Sequence, residues 1–194
     1  MNKKIFSKNC NLSSYTTIKV GGVAEYFAEP RSIEEFLYLI KWANLNRQRC
    51  QIIGAGSNIL INNIFIKGLV LCTKKMKLLK IEPYTGIVEA EAGVMLPTLS
   101  NSLAKNGLQG GEWAVGIPGT LGGAIYMNAG TGNISLAKNL VSVKVINNKT
   151  NEKLEIEKKD INFKYRFSSF QKNDLTILGA KLHFKPKSSI NFAA

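Results

Sequence analysis

Two glycine-rich segments contain the residues of this sequence that are best suited to binding chemistry, and the first of them is short. Residues 54–58 read Gly-Ala-Gly-Ser-Asn and directly follow an apolar run at 51–53. Small residues at a junction between strand and loop let the backbone approach a ligand closely, and consecutive N–H groups in such a turn bind anions. Ser57 and Asn58 add side-chain donors. Glycine pairs are also common in ordinary turns, so this segment alone leaves both interpretations open.

The second segment is longer and more specific. Residues 116–130 read Gly-Ile-Pro-Gly-Thr-Leu-Gly-Gly-Ala-Ile-Tyr-Met-Asn-Ala-Gly. A Pro-Gly turn followed by a glycine pair at the start of a short helix suits a pyrophosphate, because the helix N-terminus and the backbone N–H groups both favour negative charge. A tightly packed turn and a buried helix would explain the same small residues. Two such segments on a basic chain favour a dinucleotide ligand.

Strands and helices must bring these segments together, and the hydrophobic pattern predicts an α+β arrangement. Ser32 and Glu35 have the spacing of a capping box for a helix that ends near Asn46. A second helix runs through Leu96 and Leu103, with a glycine C-cap after it. The predicted strands are residues 24–28, 51–53, 68–72, 78–81, 86–92, 141–146, 154–156 and 176–184, of which 141–146 and 154–156 form a hairpin.

Composition limits the class of protein. The 194 residues are 45% hydrophobic and 20% charged, which allows one globular unit or two small ones and excludes a disordered chain. The formal charge of +13 favours phosphate-bearing ligands, although a general bias of the genome towards lysine is an equal alternative. The basic residues are scattered, without the interleaved aromatic residues of a nucleic-acid recognition motif. No nucleic-acid partner is therefore expected.

Cysteine usage and apolar runs indicate the compartment. The three cysteines are widely spaced and include no Cys-x-x-Cys pair, which argues against a disulfide framework and against a metal site. The basic N-terminus is not followed by the apolar stretch of a signal peptide, and no apolar run is long enough to span a bilayer. We therefore expect a cytoplasmic protein that binds no metal and no membrane.

The motifs taken together resemble one known family. Residues 16–22, 54–60, 116–130 and 165–168 stand in the order and approximate spacing of the UDP-N-acetylenolpyruvoylglucosamine reductases, also called UDP-N-acetylmuramate dehydrogenases. The resemblance extends from about residue 11 to residue 184. It implies an α+β, two-lobed FAD-binding fold of the vanillyl-alcohol oxidase type. The first lobe is expected at residues 1–73, the second at 74–185 and a C-terminal tail at 186–194.

The resemblance also implies a function and a set of site residues. In this family NADPH reduces a non-covalently bound FAD, and the reduced flavin transfers hydride to the enolpyruvyl group of UDP-N-acetylglucosamine enolpyruvate, a step of peptidoglycan synthesis. The matching positions that would bind FAD are Gly54, Ala55, Gly56, Ser57, Asn58, Gly116, Ile117, Gly119, Thr120, Gly122, Gly123, Asn128 and Gly130.

Tyr165 and Arg166 match the family's Tyr-Arg motif, so Arg166 is expected to be catalytic and Tyr165 to bind substrate. A guanidinium suits this role because it stabilises developing negative charge without losing a proton. A surface ion pair for Arg166 and a half-buried packing role for Tyr165 are the structural alternatives. His183, the only histidine, lies in an alternating strand and is expected to be structural.

The sequence departs from the family pattern in one respect. The family continues into a substrate-binding domain that carries a serine proton donor and an assisting glutamate, and neither motif occurs in these 194 residues. We therefore expect this polypeptide to bind FAD and to have little reductase activity by itself, and a separate polypeptide with the missing domain is a candidate partner. The alternatives are an FAD-dependent oxidase of the wider superfamily and a non-catalytic nucleotide-binding module.

Overall fold

A computed structural model describes residues 5–62 and 64–187 of the chain. Its helices are α1 (Ile33–Leu45), α2 (Leu96–Lys105) and α3 (Leu121–Tyr126). Its strands are β1 (Ser7–Asn11), β2 (Val23–Ala28), β3 (Cys50–Ile53), β4 (Phe65–Cys72), β5 (Leu79–Glu82), β6 (Ile87–Glu91), β7 (Leu108–Gln109), β8 (Gly130–Thr131), β9 (Ile134–Ser135), β10 (Leu140–Asn147), β11 (Lys153–Glu157), β12 (Phe163–Lys164), β13 (Phe167–Ser168), β14 (Leu175–His183) and β15 (Lys185–Pro186).

The first sheet has the strand order β1-β2-β4-β3. Strands β2, β4 and β3 are parallel, and β1 is antiparallel to β2. Parallel strands need a crossover connection, and α1 supplies the one from β2 to β3, which lie on opposite sides of β4. The predicted cap of α1 is confirmed, since the Ser32 hydroxyl accepts a hydrogen bond from the Glu35 N–H at 3.3 Å. The helix ends at Leu45, as its pattern indicated.

The second sheet is antiparallel, with the order β11-β10-β14-β6-β5. The hairpin of β10 and β11 confirms the alternation of apolar residues from residue 141 to residue 156. Helix α2 buries Leu96, Leu99 and Leu103 against this sheet, and Gly107 follows it with φ +67°. The predicted glycine C-cap of α2 is therefore confirmed. Helix α3 is the short helix expected within residues 116–130.

A buried cluster joins the two sheets. Phe36 and Leu39 of α1 pack in the same cluster as Ile146 of β10 and Leu178 of β14, and Met76 of the connecting segment is fully buried among them. The strands of the first sheet fall within residues 7–72 and those of the second within 79–183. The division into lobes at 1–73 and 74–185 remains a prediction, because the core is continuous across that boundary.

Part of the predicted tail is structured. Lys185 and Pro186 form β15, which pairs with β7 through Gln109 and Leu108. The rest of the predicted tail, from residue 188 to residue 194, lies outside the described residues. Among the helices of the described ranges, none combines the length and the apolar character that crossing a membrane requires.

Candidate functional site

The first glycine loop, residues 54–58, follows the end of β3 and packs against an N-terminal segment of the chain. Gly56 has φ +66°, and a Cβ at this position would overlap the carbonyl oxygen of Tyr15. The Thr17 N–H donates a hydrogen bond to the Gly56 carbonyl at 2.9 Å. Glycine is required at position 56 for two reasons, its left-handed backbone and the close approach of the neighbouring chain. The sequence motif at residues 16–22 therefore supports the loop from behind.

The second glycine loop, residues 116–120, is fastened to the start of α2 and to α3. The Leu96 N–H donates to the Gly119 carbonyl at 3.0 Å, and the Leu121 N–H donates to the Val94 carbonyl at 2.8 Å. Thr120 is the N-cap of α3, and its Oγ1 accepts a hydrogen bond from the Gly123 N–H at 3.5 Å. These bonds hold the loop beside the end of the second sheet.

The two loops meet, although about sixty residues separate them in sequence. The Ser57 hydroxyl donates a hydrogen bond to the Pro118 carbonyl at 3.1 Å. Gly54 lies so close to Thr120 that a Cβ on Gly54 would overlap the threonine Oγ1. Beneath this contact, the Cys72 thiol donates to the Gly54 carbonyl at 3.4 Å, and burial raises the pKa of that thiol. The structure thus brings together the two segments that the sequence singled out.

Free backbone donors surround this contact. Within residues 5–62 and 64–187, the N–H groups of residues 55–58, Gly116 and Gly119 have no acceptor. A cluster of unpaired N–H groups, held by glycines in left-handed conformations, is the arrangement that binds phosphate oxygens. The contact of the two loops is therefore suited to an anion, and we call it the loop cradle (residues 54–58 and 116–120).

Several expected cofactor residues have structural partners of their own. The Gly122 N–H donates to the Ala92 carbonyl at 2.8 Å, and a Cβ on Gly122 would lie 3.0 Å from the Ala92 Cβ. A Cβ on Gly130 would overlap the Ile134 carbonyl in the turn from β8 to β9. Ile117 packs against the core of the second sheet. Packing explains these small or apolar residues in the absence of any ligand.

Two buried polar atoms near the second loop lack partners among the described residues. Asn128 has φ +44°, and its Nδ2 donates to the Lys164 carbonyl at 3.0 Å, but its Oδ1 accepts no hydrogen bond. The indole N–H of Trp113 is also buried without an acceptor. Buried polar atoms in native proteins are nearly always paired, so a bound ligand or water is expected beside each of them.

Tyr165 and Arg166 form the two-residue turn between β12 and β13, and both are exposed. Arg166 has φ +52°, and its guanidinium lies 5.6 Å from the centroid of the Tyr165 ring. Within the described part of the chain this guanidinium forms no ion pair and no hydrogen bond. A charged group in this state is available to a ligand.

Sequence reasoning assigned no role to Ser168 and did not single out Gln171, and these two residues hold the hairpin in place. The Ser168 hydroxyl donates to the Tyr126 carbonyl at 2.7 Å. The Gln171 side-chain amide donates to the same carbonyl at 2.9 Å and to the Arg166 carbonyl at 3.2 Å. Together with the bond from Asn128 to Lys164, these contacts fasten the hairpin to the end of α3. The bonds that reach α3 and Asn128 join residues about forty positions apart, so no local sequence pattern indicates them.

Comparison with known proteins places the chain in context. Residues 24–153 match a family described as FAD binding domain. The chain is 67% identical over 185 residues to the UDP-N-acetylenolpyruvoylglucosamine reductase of Prochlorococcus marinus subsp. pastoris (strain CCMP1986 / NIES-2087 / MED4), a match that covers 95% of this chain and 62% of that protein. It is 46% identical to the UDP-N-acetylenolpyruvoylglucosamine reductase of Prochlorococcus marinus (strain NATL2A), a match that covers 94% of this chain and 62% of that protein.

Solved structures show the same fold. The UDP-N-acetylenolpyruvylglucosamine reductase of Thermus caldophilus superposes with a TM-score of 0.76 at 27% identity, covering 92% of this chain and 62% of that one. An alkyldihydroxyacetonephosphate synthase superposes with a TM-score of 0.66 at 18% identity, covering 88% of this chain and 36% of that one. At this identity the likeness shows a shared fold only. These likenesses confirm the expected α+β, two-lobed FAD-binding fold of the vanillyl-alcohol oxidase type. The chain spans 62% of the length of each of these two Prochlorococcus relatives.

Proposed function

The chain belongs to the FAD-binding domain family, and from this premise we propose that its loop cradle holds FAD for the reduction of an enolpyruvyl group on a UDP-sugar. The observation that carries the proposal is the convergence of unpaired N–H groups from residues 55–58, Gly116 and Gly119 at one place. The name of the 67% identical relative supplies the substrate class.

The residues of the cradle fit the cofactor. A pyrophosphate carries two negative charges, which match a cluster of backbone donors on a chain with a formal charge of +13. Residues 54–58 and Gly119 would surround the pyrophosphate. Gly116 and Asn128 would line the rest of the molecule, where the unpaired Asn128 Oδ1 offers an acceptor to a ring N–H.

Besides the cradle, the reaction needs a hydride carrier, a group that stabilises the negative charge formed on the substrate, and a proton donor. The residues of this chain offer a candidate for the second. Bound FAD would supply the capacity to take up a hydride from NADPH and to pass it to the enolpyruvyl carbon. Hydride addition places negative charge towards the substrate carboxylate, and the Arg166 guanidinium would stabilise it while the Tyr165 ring flanks the substrate. A proton must also reach the neighbouring carbon, and we assign no residue of this chain to that step.

The proposal is tested by purifying the 194-residue chain with FAD. We expect a flavin absorption band that survives gel filtration, and little NADPH-dependent reduction of UDP-N-acetylglucosamine enolpyruvate. A chimera that adds the remaining C-terminal part of the 67% identical Prochlorococcus relative should restore turnover, because that part would orient the substrate and supply the acid.

Each alternative result is informative. Rapid turnover by the 194 residues alone would show that they need no further segment. A chimera that folds and binds FAD but reduces no substrate would refute the reductase assignment and favour an oxidase. A colourless protein that retains RNA after purification would refute the cofactor assignment itself.

Gly116→Ala provides a direct test of the cradle. A Cβ at Gly116 meets no atom within 4 Å, so the ligand-free chain should tolerate the methyl group without loss of stability. Because the methyl group would occupy the space of the cofactor, we expect the FAD dissociation constant to rise about tenfold or more, which is about 1.4 kcal/mol. Titration of FAD fluorescence measures the constant, and thermal melts check the ligand-free fold.

Gly132→Ala is the matched control. Gly132 also has open space around it, but it has φ +56° and lies outside the cradle. This variant should lower the stability of the ligand-free chain by about 1 kcal/mol and leave the FAD dissociation constant unchanged. If the FAD dissociation constant of Gly116→Ala is unchanged, Gly116 does not line the binding surface.

A further inference from the structure

We infer that the Ser57 hydroxyl has a positioning role, which ties the two glycine loops into one cradle before any ligand arrives, and that this hydroxyl is not a direct ligand of the phosphates. The inference rests on the proposed function and assigns Ser57 a role different from the one expected from the sequence. Its basis is the hydrogen bond from the Ser57 hydroxyl to the Pro118 carbonyl, 3.1 Å long.

The donor capacity of Ser57 is already used. A serine hydroxyl has one hydrogen to donate, and here that hydrogen faces a backbone carbonyl. Its remaining lone pairs would repel phosphate oxygens. A phosphate that took the hydrogen would break the bond to Pro118 and leave that carbonyl without its partner. The unpaired N–H groups of the neighbouring residues 55, 56 and 58 are available without such a loss.

The tie has no substitute in the cradle. Among side-chain hydrogen bonds of the described residues, the one from Ser57 to Pro118 alone joins residues 54–58 to residues 116–120. The contact of Gly54 with Thr120 brings the loops close but fixes no direction. Each loop is otherwise held from its own side, by Thr17 behind Gly56 and by Leu96 behind Gly119.

Fixing the loops in advance matters for affinity. Gly56 and Gly119 are flexible when unrestrained, and ordering them during binding would subtract the lost conformational freedom from the binding free energy. A cradle whose N–H groups already point together avoids that loss. Removing the Ser57 hydroxyl should therefore affect both the ligand-free chain and its affinity for FAD.

The test uses the whole chain with Ser57→Ala, Ser57→Thr and a control. We expect Ser57→Ala to lower the melting temperature of the ligand-free chain by about 2–4 °C and to raise the FAD dissociation constant about tenfold. Ser57→Thr keeps the hydroxyl and should restore both values. The control is Ser32→Ala, which removes the same hydroxyl from the cap of α1 and should lower the melting temperature without changing the FAD dissociation constant.

Two results would overturn the inference. If Ser57→Ala weakens FAD binding but leaves the ligand-free melting temperature unchanged, the hydroxyl is a direct ligand. If it lowers the melting temperature but leaves FAD binding unchanged, as in the control, the bond is structural only. Should Ser57→Ala fail to fold, Ser57→Cys and Ser57→Thr are compared in the same two measurements, where only the threonine should behave like serine.

Failure of the proposed function gives a different pattern. A wild-type chain that binds no FAD would refute the cofactor assignment and leave the cradle to be probed with inorganic pyrophosphate. The wild-type chain should then be stabilised by pyrophosphate and Ser57→Ala should be stabilised less, while equal stabilisation of the two would overturn the role of Ser57.

Discussion

Arg166 combines an exposed side chain with a left-handed backbone, φ +52°, in a two-residue turn. Asn or Gly is usual at such a position, because a Cβ costs about 1 kcal/mol in the left-handed conformation. The arginine therefore occupies a turn position that would be filled at least as well, for stability alone, by glycine. Its guanidinium lies over the ring of its neighbour Tyr165 but has no ion-pair or hydrogen-bond partner in the described part of the chain, which is consistent with a role towards a ligand.

Replacing Arg166 by glycine should separate stability from function. Relief of the left-handed strain and the extra freedom that glycine gives the unfolded chain oppose each other, so the free energy of unfolding should change by less than about 1 kcal/mol. In the chimera, kcat should fall by about 10²–10³, the usual loss when one group that stabilises transition-state charge is removed. Urea unfolding of the chain and steady-state assays of the chimera measure the two effects.

Arg47→Gly is the control for this experiment, since Arg47 is also an exposed arginine with a left-handed backbone, φ +53°, and it lies just after α1. It should match Arg166→Gly in stability and keep full turnover. An Arg166→Gly chimera as active as its parent would rule out a catalytic role.

Single residues show where sequence reasoning reached its limit. The glycines of both loops stood out because small residues at strand ends are a local signal. Whether each glycine, or the serine beside it, faces a ligand or a neighbouring atom depends on partners far along the chain, such as Ala92 for Gly122 and Pro118 for Ser57. Composition and spacing carry no information about such partners.

Elements were more predictable than their arrangement, because caps, turns and alternation act over a few residues. The sequence pattern missed β1 and the two-residue strands β7, β8, β9, β12, β13 and β15, and it placed the start of β4 too late. Two of these differences have a physical cause. Strand β1 reads Ser-Lys-Asn-Cys-Asn, which has low strand propensity and is extended because it pairs with β2. Strand β4 begins at Phe65, three residues before the predicted start at Gly68. Gly68 does not mark the strand end: it lies inside the strand, where its φ of +90° and its close approach to the Arg49 carbonyl require glycine.

The fastening of the β12–β13 hairpin to α3 leads to a prediction about coupling. Ser168 and Gln171 both donate to the Tyr126 carbonyl, so removing either one leaves a partner in place. We expect Ser168→Ala and Gln171→Met each to lower the free energy of unfolding by about 1 kcal/mol or less. The double variant should lose at least about 0.5 kcal/mol more than the sum, because the carbonyl then has no donor.

A double-mutant cycle by urea unfolding measures this coupling. The control cycle combines Ser168→Ala with Asn46→Ala. The Asn46 side-chain amide donates to the Trp42 carbonyl in α1, far from Ser168 in sequence. That pair shares no partner and should be additive. Additivity of Ser168 and Gln171 would show that the hairpin is held by other contacts.

At the scale of the whole molecule, charge and core have different roles. Twenty-six basic residues against 13 acidic ones give a positive field that attracts phosphate-bearing ligands without determining the fold. The fold depends on the buried cluster in which α1, the connecting segment at Met76 and the second sheet pack together. Two lobes that share such a cluster cannot each keep a complete core when separated.

We therefore expect both lobes to unfold in one transition. Trp42 reports on α1 and Trp113 on the second sheet's core, and they are the only tryptophans, so Trp42→Phe and Trp113→Phe each leave one probe. Their urea transitions should coincide. Ile146→Ala in the shared cluster should lower the free energy of unfolding by about 2–4 kcal/mol and shift both probes equally. The exposed Leu45→Ala should shift neither. Separate transitions, with Ile146→Ala moving only one of them, would show that the lobes fold independently.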